Sequence, residues 1–263
     1  VDRQGGGFFK LMDILPIEFS VIIPARDEEG NIAPLLEELA DVLSGENLVW
    51  EVIVVDDGSA DETIKRLLDA GQQRRNLRIL SLPTPQGKSA ALAAGLATSK
   101  GSLIGTMDAD LQNCPGDFLP MIRMLREQPL LALVQGCRVR RQDSWGRQIA
   151  ARLGYFARRL FLGDDIQDVG CGLRVLRRAQ ALKLPLEFEG MHRFIPSLIL
   201  LHGGEVREIP VGHRPRFSGQ SKYHIGLISR GFCGFLDLLA VRWMIWRKRN
   251  TESLGVSASE GRL

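Results

Sequence analysis

Apolar residues along the chain fall into short blocks whose spacing alternates between two periods. Phe19-Ser20-Val21-Ile22-Ile23-Pro24 is a β-branched run stopped by proline, the pattern of a strand buried in a parallel sheet. Beyond Asn31, a candidate cap, Ile32, Leu35, Leu36, Leu39, Val42 and Leu43 recur at helical spacing. Glu51–Asp56 reads as a second strand, and Ser59 with Glu62 has the capping-box spacing for a helix over residues 61–75. Leu77–Leu82 predicts a third strand, alanine-rich Lys88–Thr98 a third helix, and Ser102–Met107 a fourth strand. Repeated β-α units of this kind predict an α/β domain with a mostly parallel sheet, right-handed crossovers and ligands at the carboxyl ends of strands. Asp56-Asp57 and Asp108-Ala109-Asp110 both stand at such ends.

From residue 114 the pattern loosens. Leu131–Cys137 and Cys171–Leu176 predict strands, Trp145–Leu162 an arginine-rich helix, His192–Leu201 a helix, and Arg207–Val211 an extended segment. Residues 213–223 form a basic loop. Beyond it Ile228, Phe232, Phe235, Leu236, Leu239, Trp243 and Trp246 fall near one helical face, closed by Arg247-Lys248-Arg249. The expected organisation is a flexible lead over 1–16, a domain over 17–225 with halves 17–113 and 114–225, an amphipathic segment over 226–250, and a disordered tail over 251–263.

Composition is that of a globular protein: 44% hydrophobic and 25% charged residues in 263, enough to bury a core without disulfides. A net charge of +3 gives no ground for a general nucleic-acid binder. The average conceals a split, since residues 1–137 carry a balance of −8 and residues 138–263 one of +11. A basic half suits an anionic partner, either a membrane surface or a phosphorylated substrate. The four cysteines are far apart and form no C-x-x-C pair, which argues against a zinc site and for a reducing compartment. The first residues lack the order of a signal peptide, and no apolar run approaches the ~20 residues of a spanning helix, so the chain is expected not to cross a membrane.

Two carboxylates one residue apart, Asp108 and Asp110, can converge on one hard divalent cation, and Gln112 continues the i, i+2, i+4 line if the backbone stays extended. The alternative is a solvated turn. Asp57 is either an acceptor for a nucleobase N–H or ribose hydroxyl, or part of a turn and cap. Glu28, in Pro24-Ala-Arg-Asp-Glu28, either meets a ligand or favours the positive end of the next helix. Gln86-Gly87-Lys88-Ser89 fails as a P-loop for want of the upstream glycine, but Lys88 at a helix start can still meet a phosphate. No G-x-G-x-x-G opens a helix, which disfavours a Rossmann dehydrogenase. Among the arginines, Arg138 and Arg147 are the better candidates for gripping a phosphate. The four histidines show no metal spacing, and His192 reads as structural rather than catalytic. The 225–249 segment either packs as core or lies in a membrane interface with Trp243 and Trp246 at headgroup depth. Nine Lys/Arg against three Asp/Glu over 202–250 favour the interface.

Six motifs in order, Pro24-Ala-Arg-Asp-Glu28, Val55-Asp-Asp-Gly-Ser59, Gly87-Lys88, Asp108-Ala-Asp-Leu-Gln112, Asp168-Val-Gly-Cys-Gly-Leu-Arg174 and Arg216-Phe-Ser-Gly-Gln-Ser-Lys222, resemble those of family 2 inverting glycosyltransferases of the GT-A fold. The likeness is to the dolichol-phosphate mannose synthase-like branch, which acts on polyprenyl phosphates. The resemblance implies a UDP- or GDP-linked sugar donor whose nucleoside is held by Pro24, Arg26, Glu28, Val55 and Asp57. It implies Mg²⁺ or Mn²⁺ on Asp108, Asp110 and Gln112, with Ala109 between them and Lys88 at the phosphates. Arg216 and Lys222 would close over the donor phosphates, and Arg138 and Arg147 would bind the acceptor's lipid phosphate, with Asp168 orienting an arginine or the sugar. Arg26 stands where an aromatic residue is frequent in that family. The long paired transmembrane helices of some relatives have no counterpart, which leaves the interfacial segment to reach lipid from the cytoplasmic face of the inner membrane. A lipid phosphate is already anionic, so attack on the anomeric carbon requires no strong base. Two rivals stand beside this reading: a transferase with a soluble or polysaccharide acceptor, and a non-catalytic nucleotide-sugar-binding membrane protein.

Overall fold

The structure, a computed structural model, describes residues 16–138, 145–218 and 227–248. The predicted N-terminal lead, Lys222 and the tail after 250 lie outside the described residues. The four N-terminal strands form where the sequence places them: β1 (Phe19–Ala25), β2 (Trp50–Asp56), β3 (Leu77–Ser81) and β4 (Leu103–Thr106). They alternate with α1 (Ile32–Ser44), α2 (Thr63–Gly71) and α3 (Lys88–Thr98). β1 lies between β2 and β4, parallel to both, and β2 pairs in parallel with β3. Helices cover both faces of these strands, which is why they read as unbroken apolar runs. Val21, Ile23, Val52 and Val54 face the core that contains α1, while Ile22, Ile53 and Val55 face the core that contains α3.

Two predicted caps are used otherwise. Asn31 precedes α1, but its Nδ2 donates to Glu28 Oε2 and to the Ser218 carbonyl at 3.3 Å. Ser59 does not cap a helix at 61. Its hydroxyl donates to Asp56 and accepts the Asp27 N–H at 2.8 Å, and α2 begins at Thr63, where Asp61 Oδ1 accepts the Thr63 N–H at 3.0 Å.

The second half adds α4 (Phe118–Glu127), which the sequence reading does not contain, then β5 (Leu131–Arg138), α5 (Trp145–Leu162) and β6 (Arg174–Arg177). α6 (Arg178–Ala181), α7 (Ile195–Leu201), β7 (Glu205–Val211) and α8 (Leu227–Arg247) complete it. α4 buries Phe118, Met121, Ile122 and Leu125 on one face, and Phe118 meets Phe19 edge-on at 5.3 Å. All seven strands join one sheet in the order β3-β2-β1-β4-β6-β5-β7, so the boundary expected at 113/114 runs through a continuous sheet. β6 is the exception to the parallel rule, running antiparallel to both β4 and β5. It starts at Arg174, so Cys171–Leu173 forms an irregular lead instead of strand. Gln135, fully buried, fastens that lead by donating to the carbonyls of Asp168 and Cys171.

The chain runs from β1 to β3 on one side and then returns to place β4 on the other side of β1. That reversal makes a crevice at the carboxyl ends of β1 and β4, where doubly wound sheets bind ligands.

Candidate active site

β4 delivers Asp108 and Asp110 to the crevice. Asp108 ion-pairs with Lys88 Nζ, which projects from the first residue of α3. Asp110 Oδ2 takes Arg216 Nη2 at 2.9 Å, and the other arm of Arg216 reaches Glu28 Oε1 at 3.1 Å. Each carboxylate of the pair therefore has its own cation. The same guanidinium links the loop after β7 to the loop after β1.

The two carboxylates differ in acidity. Burial raises the Asp108 pKa, but Lys88, by charge and by hydrogen bond, and then Arg174 and His192 outweigh it, and Asp108 lies below the usual carboxylate range. Asp110 lies above it, because burial and the Asp108 charge together exceed the help from Arg216 and the Gln112 N–H.

The expected extended line to Gln112 does not form. Leu111 takes φ +60°, a left-handed turn, and the Gln112 side-chain amide donates to the Arg214 carbonyl at 3.3 Å. Its backbone N–H donates to Asp110 Oδ1 at 3.1 Å, so Gln112 braces the acidic turn and the basic loop. Among the described residues no group of three acidic, histidine or cysteine side chains converges. Asp108 and Asp110 nevertheless suit a hard cation: two oxygen donors on one turn, one of them held at raised pKa by burial and then by the other's charge.

Several residues expected to hold the nucleoside take other positions. Val55 is fully buried, packed against Gly95 of α3, and has no surface to offer a ligand. Ala109 likewise belongs to the core. Val55 lies in β2, a strand buried on both faces, and Ala109 in the turn beyond β4. Asp57 is nearly buried, and its carboxylate accepts the N–H of Gln86 at 2.6 Å and of Gly87 at 3.0 Å. It anchors the loop that leads into Lys88, and a nucleobase or ribose would share those oxygens. Pro24 is half-buried at the end of β1, and Arg26 is half-exposed at the crevice mouth, 3.8 Å from Asp27.

At the end of β5, Arg138 grips Asp168 with Nε at 2.7 Å and Nη2 at 2.8 Å. Burial opposes the Arg138 charge, yet the hydrogen bonds and charge of Asp168 prevail and raise its pKa. Glu208 on β7 accepts the Asp168 N–H at 3.0 Å. Asp168, expected to orient an arginine or the sugar, has its carboxylate on Arg138 here. Arg147 lies in the first turn of α5, and its side chain is outside the described residues.

Sequence reasoning passed over three residues here. Gly172 lies so close to Asp108 that a Cβ would stand 2.5 Å from Oδ2. Arg174, buried, donates to the carbonyls of Cys171 at 2.6 Å and His192 at 3.1 Å. Both belong to the 168–174 motif, which was the available signal. Ser89 meets His192 at 2.9 Å across 103 residues, and no local pattern announces that pairing.

α5 and α8 pack together, with Phe161 edge-on to Phe235 at 6.0 Å. Their outer surface exposes Leu153, Phe156, Leu160, Phe235, Leu236, Leu239, Trp243 and Trp246. Among the described side chains of α8, Leu238 and Val241 are buried, while Phe235, Leu236, Leu239, Trp243 and Trp246 of the apolar face noted in the sequence are exposed; the side chains of Ile228 and Phe232 lie outside the described residues. Among the described residues no helix is long and apolar enough to cross a membrane.

A two-face α/β sheet with a carboxylate pair and opposing cations at its switch point suits an enzyme that handles an anionic group. The profile of glycosyl transferase family 2 matches residues 20–183, more than half of the chain, and the chain belongs to that family. It is similar to dodecaprenyl-phosphate galacturonate synthase of Rhizobium johnstonii, 35% identical over 87% of this chain and 68% of that one. It is similar also to undecaprenyl-phosphate 4-deoxy-4-formamido-L-arabinose transferase of Edwardsiella ictaluri, 34% identical over 81% of this chain and 65% of that one. The chain thus spans about two thirds of the length of these relatives. Among solved structures, glucosyl-3-phosphoglycerate synthase of Mycobacterium tuberculosis, in complex with Mg²⁺ and uridine diphosphate, superposes with a TM-score of 0.65 at 23% identity. That match covers 91% of this chain and 86% of the other, and the shared architecture is the GT-A fold.

Proposed function

We propose that the chain transfers a sugar, with inversion, from a nucleotide-sugar donor to a polyprenyl phosphate at a membrane surface. The observation that carries this reading is the pairing of Asp108 with Lys88 and of Asp110 with Arg216 at the switch point. A diphosphate arriving there meets two cations already in place. Lys88 and Arg216 then exchange carboxylate for phosphate oxygens and stabilise the charge that develops on the leaving group. Mg²⁺ or Mn²⁺ on Asp108 and Asp110 would supply further neutralisation of the diphosphate.

The acceptor phosphate oxygen forms the new bond to the anomeric carbon as the bond to the donor's diphosphate oxygen breaks. The electron pair leaves with the nucleoside diphosphate, and no proton need be moved. Arg138, aimed by Asp168, and Arg147 are the groups proposed to hold the acceptor phosphate in line, since alignment supplies much of the acceleration. Pro24, Arg26, Glu28 and Asp57 are proposed around the nucleoside, and Lys222 at the diphosphate. The names of the two relatives support a polyprenyl phosphate acceptor. The uncovered apolar face of α5 and α8, with exposed Arg242, Arg247 and Lys248 beside it, supports a peripheral seat on a membrane interface, on the cytoplasmic side where nucleotide sugars are made.

The test is transfer of label from radiolabelled UDP- and GDP-sugars to undecaprenyl phosphate, with Mn²⁺ or with EDTA, counted in the organic phase. Metal-dependent transfer that Asp110→Ala abolishes establishes the reaction and names the sugar. Donor binding with no organic-phase label from any donor refutes the lipid acceptor and directs attention to soluble ones.

A further inference from the structure

Ser89 is the second residue of α3, adjacent to Lys88, and is almost wholly buried. Its Oγ accepts the backbone N–H of His192 at 3.1 Å and lies 2.9 Å from the imidazole Nδ1. An oxygen that accepts from the backbone still carries its own proton, and donating that proton to Nδ1 places the ring proton on Nε2. Burial, then the charges of Lys88, Arg193 and Arg174, push the His192 pKa down to about 3 against the pull of Asp108. The ring is therefore a neutral acceptor at physiological pH. A protonated ring would present a second donor to Ser89 and place another positive charge near Lys88.

The turn that carries His192 is itself held from several sides. Arg174 Nη1 donates to the His192 carbonyl at 3.1 Å. Gly190 takes φ +81°, and a Cβ there would strike the Asp237 carboxylate of α8. Arg193 lies 3.7 Å from that same carboxylate. A turn fixed in this way reaches across to the residue next to the cation that holds Asp108.

We propose that His192 is a positioning residue for donor binding: by holding Ser89 it sets the first turn of α3, and with it the Lys88 ammonium, in register with Asp108. This rests on the reading of Lys88 and Asp108 as part of the diphosphate site. The role differs from general core support, because it acts through one named neighbour and so predicts a specific pattern of coupling.

The experiment is calorimetric binding of UDP and of GDP, with Mn²⁺ and separately in EDTA, to the full chain and to its variants. His192→Ala is expected to weaken nucleoside diphosphate binding about tenfold, in EDTA as well as with metal. Ser89→Ala, which cuts the same link from the other side, is expected to do the same. His192→Asn, whose Oδ1 can accept the Ser89 proton from near the Nδ1 position, is expected to restore most of the affinity. In a Lys88→Ala background the His192→Ala change should cost nothing further. A His192→Ala penalty that persists undiminished without Lys88, or no penalty where the unaltered chain binds, overturns the inference and leaves the transferase reading intact. An unaltered chain that binds neither UDP nor GDP overturns the diphosphate-site reading, and this inference with it.

Discussion

Gly172 and Asp108 lie on different strands' approaches, yet a Cβ on the glycine would stand 2.5 Å from Asp108 Oδ2 and 2.8 Å from its Cγ. The obstacle is the far end of a flexible side chain, so the backbone can stay while the carboxylate swings away. Gly172→Ala should therefore fold with little change in Tm but lose about 100-fold in kcat, the usual scale of a ~1 Å displacement of a group that positions the reaction. Thermal melts alongside organic-phase transfer assays check both halves. A large fall in Tm with unchanged kcat would contradict this.

Asp108 and Asp110 should respond oppositely to neutralisation. Asp108 has a lowered pKa, so its ionised form contributes stability above the unfolded pKa, and that contribution is lost as pH falls through the folded value. Asp110 has a raised pKa, so the fold is favoured while it is protonated, and stability is lost as pH rises through the folded value. At pH 7, in EDTA, Asp110→Asn should raise Tm and Asp108→Asn should lower it, roughly 2–4 °C for each kcal/mol in a domain of this size. Both should be inactive. Tm measured from pH 4 to pH 8 gives the sign for each.

The Arg138–Asp168 pair is bidentate and largely removed from water. Asp168→Ala leaves a buried guanidinium without that partner and should cost about 3–5 kcal/mol in denaturant unfolding. Arg138→Lys keeps the charge but cannot make the fork. It should raise the KM for the lipid phosphate more than the KM for the donor.

Trp243 and Trp246 stand on the uncovered face of α8, and the Arg247 guanidinium lies over the Trp246 ring at 5.8 Å. Replacing both tryptophans with alanine should reduce binding to vesicles rich in anionic lipid about tenfold and leave Tm nearly unchanged. Replacing Leu238, which is buried, should do the reverse. Vesicle sedimentation at low and high salt separates the apolar from the electrostatic contribution.

Local patterning made the first four strands and three helices legible, because each β-α unit buries its own apolar stripe against its sequence neighbours. α4 escaped notice since Pro115-Gly116 and Pro120 interrupt the pattern, although Pro120 occupies the first helical turn, where its missing N–H costs nothing. The direction of β6 is set by pairing Thr106 with Arg174, a contact 68 residues apart that no short window contains. In the site, Asp108, Asp110 and Lys88 stand out by residue type and placement at strand and helix ends, whereas Arg216 enters through the resemblance alone; the structure brings the four together. Gln112 was misdirected because a left-handed leucine at 111 is rare enough that no pattern predicts it. The burial of the Val55 and Ala109 side chains is not carried by a motif, because a motif does not distinguish exposed from buried positions.

The reversed strand β6 also bears on how the molecule assembles. Strands β1 to β4 are joined by short right-handed crossovers and their contacts are local, so this portion can collapse as it emerges from the ribosome. β5 joins the sheet of β1 to β4 only through β6, because the sheet order sets β6 between β4 and β5. A nascent chain that ends before residue 174 therefore has strands β1 to β4 but lacks the strand that joins the two halves. The acceptor side joins the donor side only where Arg174–Arg177 pairs between β4 and β5, antiparallel to both.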